Sequence, residues 1–252
     1  MKPGFLYSEK QVPSYVCPTC SQEDMLPVGE VSNRQSEVRT GGDTRAMLRT
    51  DLLCQNDDCG EVGVMVMMGE LYSDGEAAPE MLYTPTYVNP APNIFQLNQK
   101  YPRDIRCTLE QVFSLFWIDS SSCGNKLRIA VEELMTYQGI DDHEHNNGVP
   151  ILNSKGKPKL VMLQERLKRF KKLGKVHGKC GNALESIKWL GNDSSHSGDS
   201  VFQNVVFQAI MVFEAVLKQL YLGEDMPKEL EFSVRNIDFF HNPNKQELRP
   251  KK

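Results

Sequence analysis

The chain has little that would take it out of water. No uninterrupted apolar run reaches membrane-spanning length; the best candidate, 201–222, is broken by Gln203, Asn204, Gln208, Glu214 and Lys218. The opening residues Met1, Lys2, Pro3 and Gly4 lead into no apolar signal region, which predicts a cytoplasmic protein with no membrane association. There is no internal repeat and no low-complexity tract, so solenoid and fibrous architectures are excluded. Seven cysteines cannot all pair, and in a reducing compartment that argues against a disulfide framework. No strand–elbow–helix pattern surrounds Ser194 or Ser195, so neither has the setting of a serine nucleophile. What is present suffices for a core: 40% hydrophobic and 25% charged residues over 252 positions exclude wholesale disorder.

Four of the cysteines fall within the first 59 residues. Cys17 and Cys20 form a Cys-x2-Cys knuckle, and Cys54 and Cys59 form a Cys-x4-Cys pair followed by Gly60. A Zn²⁺ ion takes four thiolates in a tetrahedron, and each knuckle supplies two of them from one tight turn. Four cysteines leave no vacant coordination position, so the spacing predicts one structural zinc per chain. A redox-active pair would need a helix start after Cys17 and a βαβ pattern around it, and neither is visible. Residues 1–72 therefore read as a small β-rich zinc ribbon, with Val62, Val64 and Val66 giving a period-two strand signal. Cys107, Cys123 and Cys180 read as small apolar fillers.

Beyond the ribbon, prolines at 79, 85, 90, 92 and 102 disfavour a helix, and 73–101 is expected to be an extended strap. From Pro102 the period changes to that of a helix, and 102–223 reads as an all-α bundle. Its helices are expected at Ile105–Phe116, from Ser121 or Ser122 to before Gly139, over Leu160–Phe170, and from Cys180 to a stop at Gly191-Asn192. A last one, 201–222, would be capped by Asp199 or Ser200. Asp141–Ser154 is expected to be a polar loop. The extension 224–252 carries an alternating piece, Leu230, Phe232 and Val234, and then a polar tail. The fold class expected is α+β and multidomain.

Charge is unevenly placed. The net value is -4, yet the ten lysines and arginines between Lys155 and Lys179 meet only Glu165. Such a stretch in an acidic protein predicts one face for an anionic partner, RNA or DNA, with Lys168, Arg169, Lys172 and Lys175 as its contacts. Phe170 is its one aromatic residue, so base stacking is not implied. His196, after Asn192, falls where a turn could present it to a cleft as a general acid or base; capping is the alternative role. Arg128 and Glu132 stand four apart, the spacing of a local ion pair. His143, Glu144 and His145 read as a solvated loop.

The order of these parts resembles the bacterial domain of unknown function 4145, often preceded by a zinc ribbon. The resemblance is carried by the paired cysteines, by Tyr101 to Ile105, by Arg128 to Glu132 and by Ile187 to His196, in which Gly191, Asn192 and His196 are the most specific part. It covers about 15–222. That family is similar to HEPN domains, helical bundles that often dimerise and many of which are metal-independent ribonucleases of defence and restriction systems. The resemblance implies a homodimer and site residues Arg128, Glu132, Asn192 and His196. HEPN ribonucleases also carry an arginine before the histidine, with four to six residues between the two. Here no arginine occupies that interval, and the nearest preceding cation is Lys188. The expectation is thus a non-catalytic or degenerate module that binds nucleic acid or a defence-system protein. The alternatives are an active ribonuclease using His196 and a purely structural scaffold.

Overall fold

A computed structural model describes residues 6–9, 11–37, 44–73, 78–196 and 202–242. The chain divides into two compact units. One comprises Met1–Ile94 with Phe113–Asp119, the other Phe95–Val112 with Ser120–Lys252. Together they give an N-terminal antiparallel sheet followed by a domain of six α-helices, α+β overall.

The first unit is built on five strands in sequential order: β1 (Tyr15–Val16), β2 (Asp24–Glu37), β3 (Thr44–Cys54), β4 (Val62–Tyr72) and β5 (Glu80–Asn89). Strict alternation along β3 explains the sheet: Ala46, Leu48, Thr50, Leu52 and Cys54 are buried while Met47, Arg49, Asp51 and Leu53 face out. Met25, Met65, Met67, Tyr83, Phe113 and Phe116 are buried with them. Asn33 Nδ2 donates to Tyr83 Oη at 2.8 Å, which satisfies the phenol of a fully buried ring.

Residues 73–101, expected as an extended strap, contain β5. Pro85 is tolerated there because β5 is an outer strand and because the register jumps at that point. Val66 faces Tyr87 and Met67 faces Pro85, so Thr86 is the extra residue of a bulge. Proline density thus marked an edge strand rather than the absence of one.

The helical unit contains α1 (Arg103–Phe116, whose last turn belongs to the first unit), α2 (Ser120–Tyr137), α3 (Leu163–Lys171), α4 (Lys175–His196), α5 (Gln203–Leu217) and α6 (Leu230–His241). Leu127, Leu134, Leu167, Phe170, Leu184, Ile187, Val206, Phe213 and Ile237 are fully buried and make its core. The span Gln203–Leu222 is long and apolar enough to cross a membrane, with a mean hydropathy of 1.6. In the fold it is α5 plus a π-helical turn (Lys218–Leu222), and ten residues of α5 are buried. The caps expected at Asp199 and Ser200 lie outside the described residues.

Three helical expectations need correction. The fourth helix does not stop at Gly191-Asn192; it runs from Lys175 to His196. Glycine there serves close packing, because a Cβ on Gly191 would lie 2.6 Å from Arg128 Cβ on α2. Leu160 is not on the buried stripe of α3 but precedes the helix and is 66% exposed. Its neighbours are in extended pairing, with Lys159 O accepting from Glu144 N and Val161 N donating to Asp142 O. The alternation at Leu230, Phe232 and Val234 belongs to a helix, α6, in which Ile237 and His241, four apart, are buried.

Two smaller differences follow local rules. The polar loop 141–154 holds a short hairpin, β6 (His145–Asn146) and β7 (Val149–Pro150). Its turn residues Asn147 and Gly148 both have positive φ, +50° and +79°, as a type I′ turn requires. Cys107 is exposed, unlike Cys123 and Cys180.

Candidate metal centre and basic face

Cys17 follows β1 and Cys20 lies in the turn before β2, while Cys54 ends β3 and Cys59 precedes β4. Ser21 N donates to Cys17 O and Cys59 N to Asn56 O, both at 2.9 Å, which closes each turn. Ser21 and Gly60 take φ of +56° and +63° at equivalent places after the second cysteine of each pair. The turns are also tied to each other. Thr19 Oγ1 donates to Glu61 Oε2 at 2.6 Å, and Asn56 Nδ2 donates to Gln22 Oε1 at 2.9 Å.

The four Sγ atoms lie within 4.8 Å of one another. Cys17 and Cys59 are 3.9 Å apart and Cys20 and Cys54 3.6 Å. A tetrahedron with Zn–S bonds of about 2.3 Å has edges of about 3.8 Å, so the donor set fits the ion. Cys17 and Cys54 are buried, Cys20 and Cys59 half-buried. Backbone amides of Glu23 and Gln22 hydrogen-bond Cys20 Sγ and draw its thiol down to about 6, whereas burial pushes Cys54 up to about 12. Amides directed at sulfur are the outer-shell partners that steady thiolate ligands.

The basic segment is divided by its chemistry. Of its ten cations, Arg166 is buried, and one of its terminal nitrogens donates to Thr136 Oγ1 at 2.7 Å and to Ile140 O at 2.8 Å. Burial lowers the pKa of this guanidinium. Lys171 pairs with Glu185 on α4 at 2.5 Å, and Gln164 Nε2 donates to the same carboxylate at 2.7 Å. Lys188 donates to Gln164 Oε1 and stands 3.3 Å from the centroid of the Trp189 ring. This network fastens α3 to α4 and has a burial cost: Lys188 is 4% exposed and its pKa falls to about 8. Sequence reasoning found Lys188 only as the nearest cation to His196 and missed its partners Gln164 and Glu185, which carry no motif.

The other eight cations, Lys168, Arg169, Lys172 and Lys175 among them, are exposed. Lys168 and Arg169 share Glu165 at 3.7 and 3.6 Å, and Lys159 meets Glu144 at 2.8 Å. Among the described residues, Lys155, Lys157, Lys172, Lys175 and Lys179 have no carboxylate within ion-pair distance.

Arg128 and Glu132 form their i,i+4 pair at 3.1 Å on the wall of a cavity shared with Thr136, Asp142 and Arg166. The Arg128 stem packs on Gly191, and half-buried Asn192 follows it. The structure therefore brings Arg128, Glu132 and Gly191 together across α2 and α4. His196 is the last residue of α4, and its side chain lies outside the described residues.

Residues 110–245, more than half of the chain and nearly all of the helical unit's described core, match the family described as a domain of unknown function, DUF4145. No curated protein and no solved structure matches the chain. By that match, the chain belongs to the DUF4145 family.

Proposed function

We propose that this protein is a HEPN-like, non-catalytic nucleic-acid-binding module, stapled at its N-terminus by a structural zinc, that serves a bacterial defence, restriction or stress system in the cytoplasm. One observation carries the reading. A segment of ten cations uses its apolar residues and two of the cations for packing, and leaves five with no acidic neighbour. Uncompensated exposed cations suit a polyanion, whose phosphates they neutralise as counterions leave. The test is fluorescence anisotropy with labelled single-stranded RNA and duplex DNA, comparing the parent with the Lys155→Glu, Lys172→Glu, Lys175→Glu triple variant. All three side chains are exposed, so the variant should fold and lose binding. Equal binding by parent and variant would reject the face; capture of a protein but of no nucleic acid would make it a protein-docking surface.

The second reading, a metal-independent ribonuclease, is favoured by the approach of Arg128 to the Gly191-Asn192 part of α4. Cleavage by 2′-hydroxyl attack needs a base, an acid and a cation on the phosphate. Arg128 would be that cation, but Glu132 holds it at 3.1 Å. Incubation of RNA in EDTA with parent and His196→Ala separates the readings: little or no cleavage by the parent is expected, and His196-dependent cleavage would establish the ribonuclease.

A further inference from the structure

The cavity that holds the Arg128–Glu132 pair has a volume of about 390 Å³. Small-molecule sites usually have about 300–1,000 Å³. It opens between α2 and the extended stretch that leads into α3, and all of its lining belongs to the helical unit. Three buried polar atoms of residues on this wall have no hydrogen-bond partner among the described residues: Arg128 Nε, Glu133 Oε2 and Arg166 Nε. Buried polar groups are nearly always paired, so two donors and one acceptor left over around one cavity call for an occupant that supplies their partners.

The three side chains are fixed by their other polar atoms. Arg166, 4% exposed, uses one terminal nitrogen on Thr136 Oγ1 and Ile140 O. Glu133 Oε1 accepts from Thr108 Oγ1 of α1 at 2.9 Å, and Arg128 uses a terminal nitrogen on Glu132. Burial raises the pKa of the Glu133 carboxyl, as it does for a carboxylate short of donors. The rest of the wall is largely apolar and open at its rim, where Met162 is 72% and Ile129 38% exposed. The occupant that fits brings an acceptor for two guanidinium groups, a donor for Glu133 and an apolar body for Ile129 and Met162. A lone carboxylate would meet Glu132, Glu133 and Asp142 on the same wall, and a lone amine would leave both guanidinium groups unmatched. Water supplies donors and acceptors but has no affinity for the apolar part.

We infer that this α2–α3 cavity binds a free α-amino acid with an apolar side chain, its carboxylate on Arg128 and Arg166, its ammonium on Glu133, and its side chain against Ile129 and Met162. Each polar contact is then a charge-assisted hydrogen bond, the strong kind. The inference does not rest on the nucleic-acid reading, because Lys155, Lys172 and Lys175 take no part in it.

The experiment is calorimetric titration of the full chain with L-leucine, L-methionine, leucinamide and 4-methylpentanoate. The two amino acids should bind and raise the melting temperature, as any ligand of the folded state does. Leucinamide lacks the carboxylate and 4-methylpentanoate the ammonium, so each should bind at least about tenfold more weakly, the loss of a hydrogen bond to a charged group. Arg128→Met keeps a stem to pack on Gly191, and Glu133→Gln keeps an acceptor for Thr108. Each should weaken leucine by about ten- to a hundredfold, with unchanged circular dichroism as the check on folding. If Arg128→Met does not fold, Glu133→Gln decides. The Lys155, Lys172, Lys175 triple variant should bind leucine as the parent does, even if it no longer binds nucleic acid. No heat and no thermal shift with either amino acid at millimolar concentration would overturn the inference. So would leucinamide or 4-methylpentanoate equal to leucine, or leucine binding unaffected by the folded variants.

Discussion

Three glycines in α4 meet different surroundings, and replacing each by alanine tests the helix packing quantitatively. Alanine gains about 1 kcal/mol of helix propensity over glycine at an interior position. At Gly178 the nearest atom to a new Cβ is Lys171 O at 3.7 Å, an ordinary contact, so the gain should appear nearly whole. At Gly181 the new Cβ would fall 2.5 Å from Lys171 Cγ, the middle of a flexible stem. That stem can swing away, at the expense of the Lys171–Glu185 pair, and the two effects should roughly cancel. At Gly191 the obstacle is Arg128 Cβ at 2.6 Å, with Cδ at 2.9 Å. No rotamer moves a Cβ, so α4 and α2 must part. Overpacking of this kind costs about 1–3 kcal/mol, which outweighs the propensity gain. Gly191→Ala should therefore be less stable than the parent by about 1 kcal/mol, and less stable than Gly178→Ala by about 2 kcal/mol. Urea unfolding followed by helical circular dichroism reads both differences. Equal midpoints for Gly178→Ala and Gly191→Ala would refute the close approach of α2 and α4.

Other outcomes follow from the same structure. Purified protein should carry one zinc per chain by elemental analysis, and Cys54→Ser should lose it and unfold the sheet while the helical signal persists; a metal-free chain with an intact sheet would end the zinc assignment. Lys188 has a folded pKa near 8, below its unfolded value, so the unfolded chain binds the extra proton between about pH 8 and 10.5 and stability from this group rises with pH across that window. Unfolding of the parent and Lys188→Met at pH 7.5 and 10 should show the parent gaining on the variant, and parallel changes would contradict the buried charge. A homodimer is expected, with exposed Phe232 and Phe239, seven apart on α6, covered by the second copy. Light scattering should then give about 57 kDa, twice 28.6 kDa, falling to the monomer in Phe232→Glu, Phe239→Glu; a monomeric parent would reject it.

Elements with strong local signals were legible in the sequence. Alternation gave β4, Pro102 marked the entry to α1, and the cysteine spacing alone predicted the four-thiolate cluster. What escaped was decided by tertiary contact. Gly191 looks like a helix stop, yet it is a notch for Arg128. Pro85 looks like a strand breaker, yet it sits on an outer strand at a bulge. Phe232 and Val234 alternate like a strand, yet they lie on a helix whose buried spacing starts later, at Ile237. Asn147-Gly148 is a readable hairpin turn inside a segment whose polarity predicts a loop. The long apolar helix is buried over ten residues of α5 within its own unit.

The central claim is that the 155–179 face binds nucleic acid through its free cations, and a salt titration tests it most directly. Binding of labelled single-stranded RNA is measured from about 50 to 200 mM salt, with the logarithm of affinity plotted against that of salt. Five cations without acidic neighbours predict a slope of about −3.5 if each neutralises one phosphate of a single strand. Charge reversal at Lys155, Lys172 and Lys175, three of those five, should abolish the binding. A parent that binds no RNA or DNA even at low salt, or binds with a slope near zero, would contradict the account.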